Sequence, residues 1–143
     1  MDLSPAPPPP IVRRGAVAVI WRDSQLLVIR RSHLVAAPGK YCFPGGGIEP
    51  GESEPMAVIR ELREELNAIV LPQRCVWKNV TRWGVELAWW LSTLENPDEL
   101  APNPDEVASI HWVTPAEMRR LRPMLDSNRE FLELAERGEI SIR

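Results

Sequence analysis

The chain lacks the features that mark secreted, membrane-spanning and disulfide-bonded proteins. Its 143 residues include only two cysteines, Cys42 and Cys75, which are too few for a disulfide framework and lack a close metal-binding spacing. No apolar run approaches the ~20 residues of a membrane span, and the start of the chain has neither the basic nor the apolar segment of a secretory signal. We therefore expect a cytoplasmic protein with two reduced thiols.

A strong charge imbalance is also absent. The net charge is −3, with 44% hydrophobic and 26% charged residues, which is an ordinary balance for a globular domain. This balance favours neither a nucleic-acid polymer nor a membrane as the main partner. Neither an internal repeat nor a second domain is evident. We expect a disordered, proline-rich tail over residues 1–11, which could also serve a proline-binding module, and a single domain over residues 12–143.

Apolar runs and turn signals predict an α/β fold. Two apolar runs around Asp23-Ser24 have the pattern of a hairpin, and residues 54–66 have the pattern of a helix. Other predicted elements are a loop over 33–47 and strands over 74–82, 85–94 and 107–113. A capping box of Thr114 and Glu117 predicts the start of a helix. The same signature at Ser127 and Glu130 predicts the start of the last helix, which Gly138 should end. This order predicts a mixed sheet covered by helices.

The stretch PGGGIEPGESEPMAVIRELREEL, residues 44–66, crowds glutamates behind a glycine-rich loop. In a helical projection, Glu61, Glu64 and Glu65 share one face. Like charges one turn apart repel and destabilise a helix, so something should offset their repulsion. The residues that fall between these acids are small, which would let a ligand approach the face closely: Ala57 and Ala68.

The same segment predicts the boundaries and the core face of its helix. Ser53 can cap the start, Pro55 is tolerated in the first turn, and Asn67 can adopt the left-handed conformation that ends a helix. The predicted core face consists of four apolar residues: Ile59, Leu62, Leu66 and Ile69.

Two explanations of the acidic face are open from the residues alone. One is a solvated helix face with salt bridges, such as Arg60–Glu64 at i,i+4 spacing. The other is a site for hard divalent cations such as Mg²⁺, which bind carboxylate oxygens together with a substrate phosphate. The glycine loop itself is not a P-loop, because Glu52 stands where that motif requires lysine and would repel a phosphate.

The spacing of these residues resembles the Nudix box, G-x5-E-x7-R-E-U-x-E-E-x-G-U, in which U is a bulky aliphatic residue. Asn67 replaces the second glycine and Ala68 replaces the last aliphatic residue, but asparagine tolerates the left-handed conformation, so we expect the loop–helix–loop to form. The resemblance extends over residues 12–137 and implies a Nudix-like α/β/α sandwich with a mixed β-sheet. The positions that match the motif are Gly46, Glu52, Arg60, Glu61, Leu62, Glu64 and Glu65.

This resemblance implies a hydrolase that cleaves a pyrophosphate bond in a nucleoside diphosphate linked to another moiety, with Mg²⁺ or Mn²⁺ as cofactor. It implies that Glu61, Glu64 and Glu65 are metal ligands, and that one of them or a loop glutamate is the general base. Arg60 would orient the glutamates through ion pairs. Glu52 would hold the loop or bind the metal through water.

Two further metal ligands follow from the resemblance. The backbone carbonyl of Gly45 is one. The other is an acid in the loop after the central strands, for which Glu106 is the candidate and Asp105 the alternative. A solvated loop acid is the plain explanation of either residue.

The substrate is less well defined by the sequence. The expected substrate contacts are Gly46 and Gly47 of the glycine loop, together with the basic residues Arg31 and Lys40. Of the adjacent tryptophans Trp89 and Trp90, alternation along a strand should turn one into the core and leave the other able to stack on a base. Other residues that could contact phosphates or line a pocket are Arg13, Arg14, Arg30, Tyr41 and Phe43.

The extra signatures that accompany NADH, coenzyme A or ADP-ribose substrates within the Nudix family are not found in this sequence. Their absence favours the MutT-like group, with a small nucleotide such as a nucleoside triphosphate as substrate. We expect a monomer or a homodimer. Two alternatives are a catalytically silent nucleotide sensor with the same fold and a purely structural acidic helix. The complete set of box carboxylates argues against the sensor.

Overall fold

The computed structural model describes residue 3 and residues 13–142, so the predicted tail lies outside the described residues except for Leu3. No helix in the described ranges is long and apolar enough to cross a membrane. The elements in chain order are β1 (Arg13–Arg22), β2 (Gln25–Arg31), β3 (Tyr41–Cys42), β4 (Gly45–Gly47), α1 (Glu54–Leu66), β5 (Val70–Val80), β6 (Val85–Leu94), β7 (Val107–Val113), α2 (Pro115–Arg120) and α3 (Asp126–Glu136).

A mixed sheet lies at the centre of the fold. The main strand order is β3-β2-β1-β6-β5, with β4 paired to β1 and β7 paired to β2. Strands β1 and β6 run parallel, whereas the other pairs are antiparallel. The predicted hairpin is confirmed, since β1 and β2 are joined at Asp23, which has a φ of 56°.

Helices cover both faces of this sheet because the side chains of β1 alternate between two cores. Ala16 and Ala18 pack in one cluster with Leu62 and Leu66 of α1. Val17 and Val19 pack in the other cluster, which contains Trp89 and residues of α2 and α3 such as Met118 and Phe131. The predicted mixed sheet with flanking helices is therefore confirmed.

Helix α1 has the predicted boundaries. The Ser53 side chain accepts a hydrogen bond from the Met56 N–H at 3.3 Å, which caps the first turn. Asn67 adopts the left-handed conformation, with φ 53° and ψ 34°, and its N–H donates hydrogen bonds to carbonyls of the last turn. The prediction for the core face was wrong at Ile69, which lies beyond the helix and is half exposed.

Three other boundaries differ from the sequence-based expectation. The region 33–47 is not all loop, because β3 and β4 form there by pairing with β2 and β1. Strand β5 begins at Val70, before the expected start, since a bulge near Pro72 lets it continue along β6. Helix α3 begins at Asp126 and has no side-chain cap, so the Ser127 capping box is absent, whereas the one at Thr114 is confirmed.

Candidate active site

The glycine strand β4 packs directly against the acidic face of α1. It is held on β1 by three pairs, Gly15 with Gly47, Ala16 with Gly46 and Val17 with Gly45. The Gly45 N–H donates a hydrogen bond to Glu65 Oε1 at 3.1 Å. A Cβ atom on Gly46 would overlap the Glu61 carboxylate. The absence of side chains on β4 therefore lets two carboxylates lie against its backbone.

The acidic face of α1 is consequently much less solvated than a charged surface helix. Ala57 and Ala68, which we expected to leave this face open, are both buried in the core cluster. Glu65 is only 5% exposed. Glu64 is the outermost of the three helix acids, with half of its side chain exposed. The solvated-face explanation therefore fits Glu64 but not Glu65.

Arg60 connects the loop before α1 to the helix. Its guanidinium donates to both carboxylate oxygens of Glu52, at 2.8 and 2.9 Å, and to the Gly47 carbonyl at 2.7 Å. The same group donates to Glu61 at 2.9 Å and more weakly to Glu64 at 3.4 Å. These hydrogen bonds lower the pKa of the Glu52 carboxyl to about 2, so Glu52 is ionised and holds the loop.

The carboxyl groups of Glu61, Glu65 and Glu106 lie close enough together for the charge of Glu106 to affect the pKa values of the other two. Burial raises the pKa of Glu65 well above its ordinary value, and the neighbouring charges of Glu61 and Glu106 raise it further. Burial also raises the pKa of Glu61, although the hydrogen bond from Arg60 opposes this. One carboxylate oxygen of Glu106, Oε2, is buried without a hydrogen-bond partner. An unpaired buried oxygen among like charges indicates a position for a positive ligand.

The loop that contains Glu106 also contains Asp105, the alternative candidate for this ligand. Asp105 is exposed, and its backbone carbonyl accepts a hydrogen bond from Ser32 Oγ at 2.7 Å. The backbone carbonyl of Glu106 accepts the Ser32 N–H at 3.0 Å, which fixes the loop beside β2. Of the two acids, Glu106 is the one whose charge acts on Glu61 and Glu65.

These residues fit a divalent cation chemically, although their side chains do not converge on one point. Carboxylate and carbonyl oxygens are the donors that Mg²⁺ and Mn²⁺ prefer. Within residues 13–142, no three His, Cys, Asp or Glu side chains already converge as a metal-binding group. Arg60 instead holds Glu61 and Glu64 by ion pairs. A bound ion would therefore have to draw the carboxylates together.

A cleft of about 800 Å³ borders the glycine strand. Gly45, Gly46 and Gly47 line it, and so does Arg31. Lys40, the other basic residue expected to contact substrate, is not among the lining residues. Additional lining residues come from the start of β1 and from the floor: Arg13, Arg14, Val17, Cys42 and Phe43. The glycine strand is thus a wall shared by the cleft and the carboxylates.

Sequence analysis missed the residues that form the far side of the cleft. Val85 and Leu87 come from β6, and Leu125 and Asn128 come from the start of α3. Asn128 is buried, and its Oδ1 accepts the Phe43 N–H at 2.8 Å. No local motif marks these positions, because only the packing of α3 against β6 brings them to the cleft.

The two tryptophans considered for base stacking lie away from the cleft. Trp89 is fully buried and stacks on Phe131, with ring centroids 4.9 Å apart. Trp90 packs in the core on the other face of the sheet, and its Nε1–H donates to Glu54 at 3.0 Å. Alternation along β6 is as expected, but both side chains serve packing.

The known proteins that this chain resembles belong to one family. Nudix hydrolase 3 of Caenorhabditis elegans is 46% identical over 105 residues, which are 68% of this chain and 43% of that protein. The NAD-capped RNA hydrolase NudC of Stutzerimonas stutzeri (strain A1501) is 27% identical over 103 residues, 72% of this chain and 37% of that protein. The chain thus spans less than half the length of these two relatives.

Solved structures and a family model give the same result. The crystal structure of a MutT protein from Methanosarcina mazei Go1 superposes with a TM-score of 0.76 at 21% identity, covering 89% of this chain and 94% of that chain, which establishes a shared fold. The family model described as NUDIX domain matches residues 12–135, so it spans the glycine strand, the acidic helix and Glu106. On these findings, the chain belongs to the Nudix family.

Proposed function

We propose that this chain is a pyrophosphohydrolase that cleaves a phosphoric anhydride bond in a small nucleotide, with Mg²⁺ or Mn²⁺ as cofactor. The observation that carries the proposal is a group of three carboxyls beside the glycine wall of a cleft: the buried Glu65, the half-buried Glu61, and Glu106, whose Oε2 is buried. Burying like charges together destabilises a fold unless a cation compensates. A purely structural helix gives no reason for the unpaired Oε2 of Glu106.

The proposed metal site uses the oxygens of Glu61, Glu64, Glu65 and Glu106, together with the Gly45 carbonyl. When bound there, a divalent ion would neutralise the pyrophosphate and lower the pKa of an attacking water. One of the carboxylates would accept the proton of the attacking water as general base. Glu64 is the most accessible of them, because half of its side chain is exposed.

Arg60 acts in this proposal as a positioning residue. It holds Glu61 on the helix side and Glu52 with the Gly47 carbonyl on the loop side, so it fixes the glycine wall relative to the carboxylates. Glu52, whose two oxygens both accept hydrogen bonds from Arg60, serves the loop rather than the metal directly.

The cleft suits a nucleotide whose phosphates point toward the glycine wall. Its volume of about 800 Å³ is in the range typical of small-molecule sites. The positive charge of Arg31 lies close enough to Glu65 to oppose the burial that raises the pKa of that carboxyl, and Gly46 and Gly47 offer backbone groups to a phosphate. The apolar side chains of Val85, Leu87 and Leu125 can cover a nucleoside. A nucleoside triphosphate, as in MutT-like enzymes, is the proposed substrate class, and Lys40 remains a proposed contact for an incoming phosphate.

Three wider proposals accompany this function. We place the single domain at residues 12–143 and the protein in the cytoplasm, where the free thiols of Cys42 and Cys75 would stay reduced. Burial raises the pKa of the Cys42 thiol to about 12, so this cysteine in the cleft is not a nucleophile. We propose a monomer or homodimer that acts on small nucleotides rather than on nucleic-acid polymers or membranes.

The test of the function is phosphate or pyrophosphate release from a substrate panel, measured with Mg²⁺, with Mn²⁺ and with a chelator. The panel contains canonical and oxidised nucleoside triphosphates, ADP-ribose, dinucleoside polyphosphates, sugar nucleotides and a short capped RNA. Turnover that requires the metal identifies an enzyme, and the best member names its substrate class. Binding of nucleotides without turnover on any member would instead identify the silent sensor.

Replacing Arg60 with lysine should lower turnover by about 10- to 100-fold while keeping the positive charge. A lysine carries three donors on one nitrogen, so it cannot reproduce the fork by which Arg60 reaches both Glu52 oxygens, Glu61 and the Gly47 carbonyl. The loop and the helix would therefore lose their common anchor. Steady-state kinetics with the best panel substrate measures the effect. The exposed Arg63 one turn on provides the matched control, as Arg63→Lys should change little. Equal activity of Arg60→Lys and wild type would remove Arg60 from the proposed machinery.

A further inference from the structure

Five of the six tryptophans of this protein are committed to packing. Trp89 is a core residue, Trp21 and Trp77 pack against the core on its side of the sheet, and Trp90 and Trp112 pack against the core under α1. The sixth tryptophan is 75% exposed. A single exposed apolar residue needs no explanation by itself, so the position of this one, Trp83, decides its significance.

Trp83 stands on the tip of the β5–β6 hairpin, at the rim of the cleft. The tip is a tight turn in which Gly84 N–H donates to the Thr81 carbonyl at 2.9 Å and Thr81 N–H donates to the Val85 carbonyl at 2.8 Å. Val85, two residues after Trp83, lines the cleft. The tip therefore leads straight into the wall of the cleft.

The hairpin tip also faces the opposite wall of the cleft. Arg82 Nη2 lies 3.7 Å from Oδ2 of Asp126 in the first turn of α3. Asn79 Nδ2 donates to the Ser127 hydroxyl at 3.4 Å. The neighbouring residues Leu125 and Asn128 line the cleft. Trp83 thus lies where the hairpin and α3 come together at the rim.

The register of the sheet places this rim away from the carboxylates. Arg13, at the start of β1, pairs with Val85 of β6. Val17, four residues further along β1, pairs with Gly45 of the glycine strand. Four strand residues span about 13 Å. Glu65 contacts Gly45, so the carboxylates lie at the Val17 end of this span. The hairpin tip lies beyond the Arg13 end.

We propose that Trp83 stacks on the base of the bound nucleotide and contributes to affinity for nucleotides over inorganic polyphosphates. This inference rests on the proposed function, because it assumes that the phosphates lie at the glycine wall. The base then lies toward the rim, one ribose away from the phosphates. The Arg82 guanidinium lies over the Trp83 ring, 4.8 Å from its centroid, which leaves the other ring face for a base.

Stacking of this kind tolerates all bases, because every base presents a π-face. Trp83 should therefore strengthen binding of many nucleotides similarly, and base selection would come from polar groups deeper in the cleft. An aromatic ring at this position is expected to matter more than its apolar surface alone.

The experiment compares Trp83→Ala and Trp83→Phe with wild type in binding a non-hydrolysable nucleoside triphosphate analogue with Mg²⁺, and inorganic tripolyphosphate as a ligand without a base. Trp83→Ala should weaken binding of the analogue about tenfold, and Trp83→Phe should restore most of the affinity. Tripolyphosphate should bind all three proteins equally. Because stacking quenches indole fluorescence, the analogue should quench wild type more strongly than Trp83→Phe.

Val80→Ala is the matched control, since Val80 is an exposed apolar residue of the same hairpin that does not line the cleft. It should bind the analogue like wild type. Wild-type affinity for the analogue in Trp83→Ala, or an equal loss for the analogue and tripolyphosphate, would overturn the stacking role while leaving the proposed function intact. Failure of the wild-type protein to bind or hydrolyse any nucleotide would overturn both proposals.

Discussion

Replacing Glu65 with glutamine should lower metal-dependent turnover by about 10²–10³-fold and at the same time stabilise the metal-free protein. Glutamine keeps an oxygen that can accept the Gly45 N–H, so the local geometry can persist. It removes a buried charge that Glu61 and Glu106 repel. If the gain is about 1 kcal/mol, the melting temperature should rise by about 2–4 °C. Thermal unfolding with a chelator and kinetics with Mg²⁺ measure the two effects.

Added Mg²⁺ should reverse the order of stability. A ligand that binds only the folded state stabilises it by about 2.7 kcal/mol when present at 100 times its dissociation constant. The wild type should gain this stabilisation, whereas Glu65→Gln should gain little, because it lacks a proposed metal ligand. An acidic face with a purely structural role would give the same change with and without metal.

The same residue predicts how the metal-free protein responds to pH. The folded-state pKa of Glu65 is raised above its ordinary value of 4.5, so between these two values the folded state binds more protons than the unfolded chain. The free energy of unfolding therefore falls as pH rises from about 4.5 toward the folded-state pKa, and it stays low above that pKa. Glu61 acts in the same direction, so the fall should be reduced in Glu65→Gln without disappearing.

Glu52 contributes in the opposite sense and in a different pH window. Its pKa is lowered to about 2, mainly by the hydrogen bonds from Arg60, so its stabilisation is complete above about pH 4.5 and is lost as pH falls toward 2. Denaturant unfolding of the metal-free protein between about pH 5 and pH 8 thus excludes Glu52. Burial lowers the pKa of His111, which raises the free energy of unfolding as pH rises toward 6.5, so the effect of Glu65 is the difference between wild type and Glu65→Gln. A wild-type free energy of unfolding that does not fall relative to that of Glu65→Gln across this range would contradict the prediction.

Glu64→Gln is the control that separates catalysis from burial. Glu64 is also a proposed metal ligand, so this variant should lose turnover as well. Its side chain is half exposed, so removing its charge should change the metal-free stability much less than Glu65→Gln does. Equal stabilisation by both variants would mean that helix repulsion in general, rather than the buried cluster, explains the effect.

The features that could be predicted from the sequence are those determined by neighbours in the chain. The start and end of α1 follow from Ser53 and Asn67, whose side chain and backbone satisfy the helix ends within a few residues. The capping box of Thr114 and Glu117 is equally local. The spacing of the Nudix box gave the family, because it also lies within one loop and one helix.

The features that could not be predicted depend on contacts between distant segments. Gly45–Gly47 has poor intrinsic strand propensity and becomes β4 only because β1, about 30 residues earlier, pairs with it. Helical projection placed Ala57 on the acidic face but could not show that the chain folds over that face and buries it. The far wall of the cleft is assembled from β6 and α3, which lie some 40 residues apart in the sequence.

The first two glycines of β4 should respond differently to alanine. Gly45 has a φ of 155°, which L-residues rarely adopt, and a Cβ atom there would meet the Ala16 carbonyl oxygen and lie 2.9 Å from Val17 Cα. Both contacts are with the backbone of β1, which cannot move without disturbing the sheet. Gly45→Ala should therefore destabilise the fold by about 2–4 kcal/mol, detectable as a large loss in the free energy of unfolding.

Gly46→Ala should leave the fold nearly as stable as wild type and still lower turnover by about 10²-fold. The three nearest atoms that its Cβ would meet all belong to the Glu61 carboxylate, which is the free end of a flexible side chain and can turn away. Displacing a catalytic group by about 1 Å is enough to cost this much activity. Gly47→Ala is the matched comparison, because its Cβ would meet nothing within 4 Å and would leave the Glu61 carboxylate in place. Since Gly47 is a proposed phosphate contact, any loss in that variant should appear in KM rather than in kcat. If Gly46→Ala retained full turnover, the Glu61 carboxylate would not need to lie against the glycine strand, and the close approach of β4 to α1 would be a packing feature alone.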